Sequence, residues 1–396
     1  MKINVGVFFG GRSVEHEVAV ISAVQAMNSM DTEKYNILPV YITKQGEMYY
    51  NPAMLDINLF KDIPALLKNS IPVTMIKQGE SFCLIELKKG LFKKTLSFID
   101  IAFPIVHGTN CEDGAIAGWF ELLGIPYVGC DTLSASVGTD KAAFKYILMQ
   151  HDIPVLPCVT FHAKTFTLEK QVVLNTIKEK LQFPLIVKPV NLGSSVGISK
   201  AADEAELIES IREAMHYAEK ILVEPAITDL REFNCSVVGD MDACDTSVIE
   251  EPIMTGDILS YDDKYKNGDK GGKTGGKSSG MASLKRKIPA DIPPQLRQQI
   301  ETYAKSTFQA IGANGVVRID FIFDAKNEQV YVNEINTIPG SLSFYLWEPK
   351  GVPYKELLTK LIDLGFKRSR TKENLTFSFD TNILSQGGAF GSKGKK

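Results

Sequence analysis

The sequence predicts an α/β fold, and three observations carry that reading. "INVGVFF" followed by "GGRSVEHEVAVISAVQAM" reads as a buried strand, a glycine turn and an amphipathic helix. Strand–helix alternation continues through "NILPVYIT", "DIAFPIVHG", "AGWFELLG" and "IPYVG", the pattern of a parallel sheet layered with helices. The alternation then resumes with helical "DKAAFKYILMQHDI", the strand "FPLIVKPV", the periodic helix "AADEAELIESIREAMHYAE" and the strand "KILVEPAI".

The elements between and after these follow from local pattern. Residues 51–95 read as an excursion of short strands with an isolated helix around Ile63–Lys68. A second unit begins near Cys130 and a third near Thr228, the latter ending with the helix "YKELLTKLIDLGFKR". The tail after Ser369 is polar and ends in Gly, Ser and Lys, with little to bury. Residues 261–287 are dense in Gly, Lys, Asp and Ser, which predicts a long mobile loop.

Composition bounds the function. A chain of 396 residues holds two or three domains, and 44% hydrophobic with 23% charged residues is ordinary for a soluble globular protein. A formal charge of −3 argues against a nucleic-acid surface. The six cysteines are scattered without C-x-x-C or zinc spacing, which suits a reducing compartment. The apolar start is too short to span a bilayer and lacks a secretory pattern, so a cytoplasmic protein without a membrane partner is expected.

Chemistry concentrates in "GVVRIDFIFDAKNEQVYVNEINTIPGS". Arg318 and Asp320 are two apart on one apolar strand, and Glu334 and Asn336 on the next, so each pair shares a face. A turn centred near Lys326 sets Arg318 opposite Glu334, with all four side chains on one side. Asp, Glu and Asn offer the hard oxygens Mg²⁺ takes when it also holds phosphates, and Arg318 beside them can steady an anion. A cross-strand Arg–Glu pair with incidental neighbours is the other reading.

Two segments look like phosphate loops. "GGKTGGKS", residues 271–278, satisfies G-x-x-x-x-G-K-[ST], but neither a buried strand nor a helix flanks it, so it reads as low-complexity loop. "VKPVNLGSSVGISK" is better placed: Gly193, Ser194, Ser195 and Gly197 can wrap phosphate oxygens, and Lys188 ends the strand before them. Lys141 opens a helix and is a second cation or a solvated surface lysine. Glu15 follows the first glycine turn, either answering the helix dipole or holding a substrate ammonium group. His107 at a strand end is structural or a substrate contact.

The order of these segments resembles the ATP-grasp superfamily, and more closely the D-alanine–D-alanine ligase family. The resemblance runs through "GGRSVEHEV", "HGTNCEDGAIAGWFELLGIPYVG", "TDKAAFK", "VKPVNLGSSVGISK", "DDKYK", "VRIDF" and "VNEINTIPG", to about Arg368. It implies an N-terminal Rossmann-like parallel-sheet domain over 1–129 and a two-part α+β ATP-grasp unit over 130–226 and 227–370. The mobile loop would cover 257–287 and a polar tail 371–396.

The resemblance also implies the chemistry: ATP phosphorylates the carboxylate of one D-alanine, and the amine of a second D-amino acid attacks the acyl phosphate. Asp320, Glu334 and Asn336 would hold two Mg²⁺, with Mn²⁺ as a substitute. Lys141, Lys188, Ser194, Ser195 and Lys264 would contact ATP phosphates, Glu224 the adenine side and Glu232 the ribose. Glu15 would take the first substrate's ammonium group and His107 its carboxylate. Arg318 and the N–H of Gly340 would form the oxyanion site, and Glu15, Ser194 and Tyr265 would close the loop over it. A homodimer acting on free ATP and D-alanine for peptidoglycan synthesis is implied.

Three departures stand out. After "NTIPG" the family's serine-rich segment for the second substrate, spanning Ser343 and Tyr345 here, reads "SLSFYLWEPKG", with Tyr345 near the usual serine. The Gly/Lys insertion enlarges the loop, and Ala19 replaces a frequent serine. These departures bear on the second substrate and not on the ATP chemistry; Tyr265 matches the residue typical of dipeptide-forming members, which implies an amine nucleophile, D-alanine first and D-serine or another amino acid next. An inactive nucleotide-binding paralogue is the rival from another class, and an NAD-dependent oxidoreductase lacks its glycine fingerprint.

Overall fold

The computed structural model describes residues 2–87, 94–193, 196–253 and 286–377. Three sheets organise them, of seven, four and five strands.

The first sheet takes β1 (Ile3–Gly10), β2 (Tyr35–Ile42), β3 (Met48–Tyr50), β4 (Ile71–Gln78), β5 (Ser81–Glu86), β6 (Thr95–Ile99) and β7 (Ile101–Val106), in the order β6-β5-β4-β3-β2-β1-β7. Helices α1 (His16–Ser29), α2 (Ile63–Lys68) and α3 (Ala115–Leu123) accompany it. Only β2, β1 and β7 run parallel, so the sheet is mixed rather than parallel. The excursion explains the difference, because its hairpins add β3–β6 antiparallel at one edge. "IPYVG" contributes a single parallel bridge, Ala102 with Tyr127. At the turn from β1 into α1, a Cβ on Gly11 would sit 2.3 Å from Cys111 Sγ, and φ is +101°, so only glycine fits.

The second sheet follows α4 (Thr132–Thr139) and α5 (Lys141–Gln150). Its chain order is β8 (Val159–His162), α6 (Ala163–Leu168), α7 (Lys170–Lys180), β9 (Leu185–Pro189), β10 (Ser199–Ala201), α8 (Glu204–Ala214) and β11 (Lys220–Pro225). Its strands pair antiparallel as β10-β9-β11-β8. The apolar face of α8, through Leu207 and Ile211, packs with Val173, Ile177, Val187 and Val223 in one core.

The third sheet holds β12 (Leu230–Gly239), β13 (Cys244–Pro252), β14 (Arg286–Lys287), β15 (Gly315–Asp324) and β16 (Gln329–Asn336), ordered β14-β13-β12-β15-β16, with α9 (Pro294–Ala310) across it. Arg286–Lys287, expected within the mobile loop, instead pair with Pro252 and Glu251. After α10 (Phe344–Trp347), α11 (Tyr354–Glu373) returns to the first sheet. Its Leu357, Leu358, Leu361 and Ile362 share a core with Val5, Phe9, Ala23 and Ile105. Arg368 donates to the carbonyls of Gly129 and Tyr127 and lies 3.9 Å over the Tyr127 ring. Among the described residues no helix is long and apolar enough to cross a membrane.

Candidate active site

A cleft of about 400 Å³ is lined by strands of the second and third sheets, by Glu15 and Val18 at the start of α1, and by the loop that follows β7. The hairpin β15–β16 forms one wall. Its register sets Arg318 opposite Asn336 and Asp320 opposite Glu334, which corrects the expected Arg318–Glu334 pairing. Two shifts of one residue are the reason: the turn centres between Lys326 and Asn327, and a bulge at Asp320/Phe321 leaves Asn333 unmatched, since Phe321 pairs with Val332. The extra residue sends Asn333 and Glu334 together to the cleft while Val332 and Ile335 stay buried.

Arg318 grips Asp320 in a fork, Nε to Oδ1 and one terminal nitrogen to Oδ2, both at 2.7 Å. Asn336 Nδ2 adds a bond to Asp320 Oδ2 at 3.2 Å. Burial opposes the Arg318 charge, but the Asp320 carboxylate outweighs it and holds the guanidinium well above its ordinary range.

The cleft floor is ionic. Asp140 caps α5 by accepting from the N–H groups of Ala142 and Ala143, which fixes Lys141 at the first helical position. Lys141 Nζ then reaches Glu334 at 3.2 Å and the Leu192 carbonyl at 2.8 Å. Lys188, from the end of β9, bonds Glu224 at 2.5 Å and Asn333 Oδ1 at 3.2 Å. Glu224 also accepts from the buried Lys145. Burial alone would raise the Glu224 carboxyl, but the two ammonium groups pull it down to about 2. Glu232 lines the same cleft.

At the other end Glu15 faces two glycines. A Cβ on Gly108 would stand 2.8 Å from Glu15 Oε2, and one on Gly193 3.4 Å from it. His107 joins Ser22 Oγ at 3.0 Å and the Ile338 carbonyl at 2.8 Å, and burial depresses its pKa despite the Glu15 charge. Glu112 accepts from the N–H of Ile338 at 2.8 Å and of Gly108 at 3.3 Å, tying the His107 loop to the turn that presents Gly340. Burial lifts its carboxyl to about 7.

Past Gly340, residues Ser341, Leu342 and Ser343 all take left-handed φ near 51°. That turn leads Ser343 away from the cleft wall: it is fully buried and its hydroxyl meets no partner among the described residues. Tyr345 does line the cleft, and its hydroxyl donates to Glu250 at 3.1 Å. Ser194, Ser195, Lys264, Tyr265 and the P-loop-like 271–278 lie outside the described residues.

Thus Glu15, His107, Lys141, Lys188, Glu224, Glu232, Arg318, Asp320, Glu334, Asn336, Gly340 and Tyr345 converge on one cleft. Sequence reasoning missed Lys145, Glu112, Glu250, Asn333 and Arg286. Lys145 had a signal, standing four residues after Lys141 on the same helical face. Asn333 had one too, because the apolar spacing Val330, Val332, Ile335 breaks its period of two.

The oxygen set suits a hard cation. Among the described residues no three His, Cys, Asp or Glu side chains cluster at metal-binding distance. Two carboxylates and one amide make a partial shell, the kind that Mg²⁺ completes with phosphate oxygens and water.

Family models agree with this layout. The D-ala D-ala ligase N-terminus matches residues 4–130, and the D-ala D-ala ligase C-terminus matches 147–363. A D-alanine–D-alanine ligase of Thermosipho melanesiensis is 38% identical over 96% of this chain and 98% of that protein. The chain belongs to the D-alanine–D-alanine ligase family. Within that family, a ligase of Caldicellulosiruptor bescii is 35% identical over 95% of this chain and 99% of its own. Among solved structures, the D-alanine–D-alanine ligase of Coxiella burnetii superposes with a TM-score of 0.75 at 30% identity, covering 94% of this chain and 96% of that one. The VanG D-Ala:D-Ser ligase of Enterococcus faecalis also gives 0.75 at 30% identity, covering 92% and 100%. The α/β, ATP-grasp architecture is that of these neighbours.

Proposed function

We propose that this protein is an ATP-dependent ligase that joins two D-alanines into D-alanyl-D-alanine for peptidoglycan, releasing ADP and phosphate. The observation that carries this reading is the convergence, in one cleft, of a lysine–glutamate floor, the Arg318–Asp320–Glu334–Asn336 face and the Glu15–His107 end. A carboxylate is a poor electrophile until one oxygen becomes a leaving group, and phosphoryl transfer depends on charge and position more than on covalent help.

Lys141 and Lys188 would hold the nucleotide phosphates, with Glu224 and Glu232 on the adenosine side. Ser194, Ser195 and Lys264 would join them, and Tyr265 would close with Glu15 and Ser194 to keep water from the acyl phosphate. Glu15 orients the first D-alanine through its ammonium group, and His107 stands by its carboxylate. Arg318 and the Gly340 N–H meet the negative oxygen that develops when the second amine attacks. Asp320, Glu334 and Asn336 would hold Mg²⁺ ions, or Mn²⁺ in their place. Such cations neutralise phosphate charge.

D-Serine as second substrate is the alternative, favoured by Tyr345 standing on Glu250 where a serine is usual. We also place the protein in the cytoplasm as a homodimer using free ATP and D-alanine. Incubation with ATP, Mg²⁺ and D-alanine should release phosphate and dipeptide, and a mass-spectrometric panel including D-serine ranks the nucleophiles. Absence of turnover with every D-amino-acid pair overturns the assignment.

A further inference from the structure

We propose that Arg286 binds the carboxylate of the second amino acid, an assignment that rests on the ligase reading and specifies one subsite of it. The incoming amino acid is a zwitterion whose amine becomes the new amide nitrogen. Its carboxylate takes no part in bonding and needs a fixed counter-charge in the cleft.

The described cations that line the cleft are few, and the others are committed elsewhere. Lys141 and Lys188 serve the floor through Glu334 and Glu224. Lys200 stands on β10, past the Gly/Ser turn. Arg318 gives two of its donors to Asp320 and, on the ligase reading, turns its charge to the developing oxyanion. The Tyr345 hydroxyl donates its proton to Glu250 and so has none for a carboxylate.

Arg286 is held ready instead. One terminal nitrogen lies 3.1 Å from Glu250 Oε1, and its guanidinium sits 5.0 Å over the Tyr345 ring. Glu250 is itself fixed by Tyr345 and by Asn234 Nδ2, each at 3.1 Å, and is 3% exposed. Glu250 therefore anchors one terminal nitrogen of a planar guanidinium, a group whose five donors suit bidentate carboxylate recognition. The backbone adds rigidity, because Arg286 pairs with Pro252 at the end of β13. Arg286, Glu250, Tyr345, Arg318 and Gly340 line one cleft. A carboxylate held on Arg286 would leave the amine to reach the Arg318 and Gly340 end of it.

The test uses the whole protein and separates the two half-reactions. Hydroxylamine, which has no carboxylate, captures the acyl phosphate by displacing phosphate to give D-alanine hydroxamate. Arg286→Gln should keep hydroxamate formation near that of the unaltered protein while raising the second-site KM for D-alanine by about 100-fold. Arg286→Lys should lie between the two, because it keeps charge but loses the fork. With D-alaninamide as nucleophile, the penalty should shrink to about 3-fold or less. A second-site KM unchanged in Arg286→Gln overturns the assignment, as does parallel loss of hydroxamate and dipeptide, which marks a residue that merely shapes the cleft. If the unaltered protein makes no hydroxamate, the ligase reading itself fails, and this subsite with it.

Discussion

Arg318 keeps its charge beside Asp320 at 2.7 Å, on a strand whose immediate neighbours are valine, isoleucine and phenylalanine. A cation so fixed contributes most where negative charge appears during reaction, and least to substrate already bound. Arg318→Ala should therefore lower kcat by about 10²- to 10³-fold and leave the ATP dissociation constant within about 3-fold, measured by turnover and calorimetry. Equal losses in both would place Arg318 in nucleotide binding. Glu112 supplies a stability signature. Its carboxyl moves from an ordinary 4.5 to about 7, so between those values the folded chain keeps a proton the unfolded chain has lost. Its contribution is complete below 4.5 and disappears as pH rises through 7, a change on the order of 3 kcal/mol. Urea midpoints should show Glu112→Gln losing less stability than the parent between pH 5 and pH 8. Identical slopes would remove Glu112 as the source.

At the scale of elements, the turn from Gly340 to Ser343 is a small strained device. Left-handed φ at Ser341, Leu342 and Ser343 costs each L-residue about 1 kcal/mol or more. Bonds from the Ser341 N–H to Ser22 and from its hydroxyl to Gln25 help hold the turn against α1. Ser343 carries strain together with a hydroxyl that has no partner among the described residues. Ser343→Gly should raise folding stability by about 1 kcal/mol in chemical denaturation, and a loss instead would show that the hydroxyl has a partner. This turn was not legible in the sequence, because "SLS" has none of the glycine or asparagine that marks positive φ. The β15–β16 face was legible, since period-two polar residues in apolar strands announce themselves. Its register was not, because a straight ladder was assumed where Asn333 forms a bulge.

Over the whole molecule, strand and helix order came through from alternation, whereas partners distant in sequence did not. An amphipathic stretch such as Tyr354–Glu373 says that one side is buried but not against what. It lies on the sheet that opens the chain, beside Val5 and Phe9. Likewise Glu250 and Arg286 meet Tyr345 only because two strands and the short helix α10 bring them there, which no local spacing encodes. Leu358 is fully buried in that shared core, so Leu358→Ala should cost about 2–5 kcal/mol, read as an earlier denaturation midpoint. A cost below about 1 kcal/mol would mean α11 is dispensable to the first sheet.

The placement of α11 also sets a timetable for biosynthesis. Strand β1 leaves the ribosome long before the α11 side chains that cover part of its oily surface are decoded. At ordinary elongation speeds that interval is roughly 20–70 s. For that time the nascent N-terminal half must tolerate an unfinished flank, shielded by its own earlier helices or by a holding chaperone.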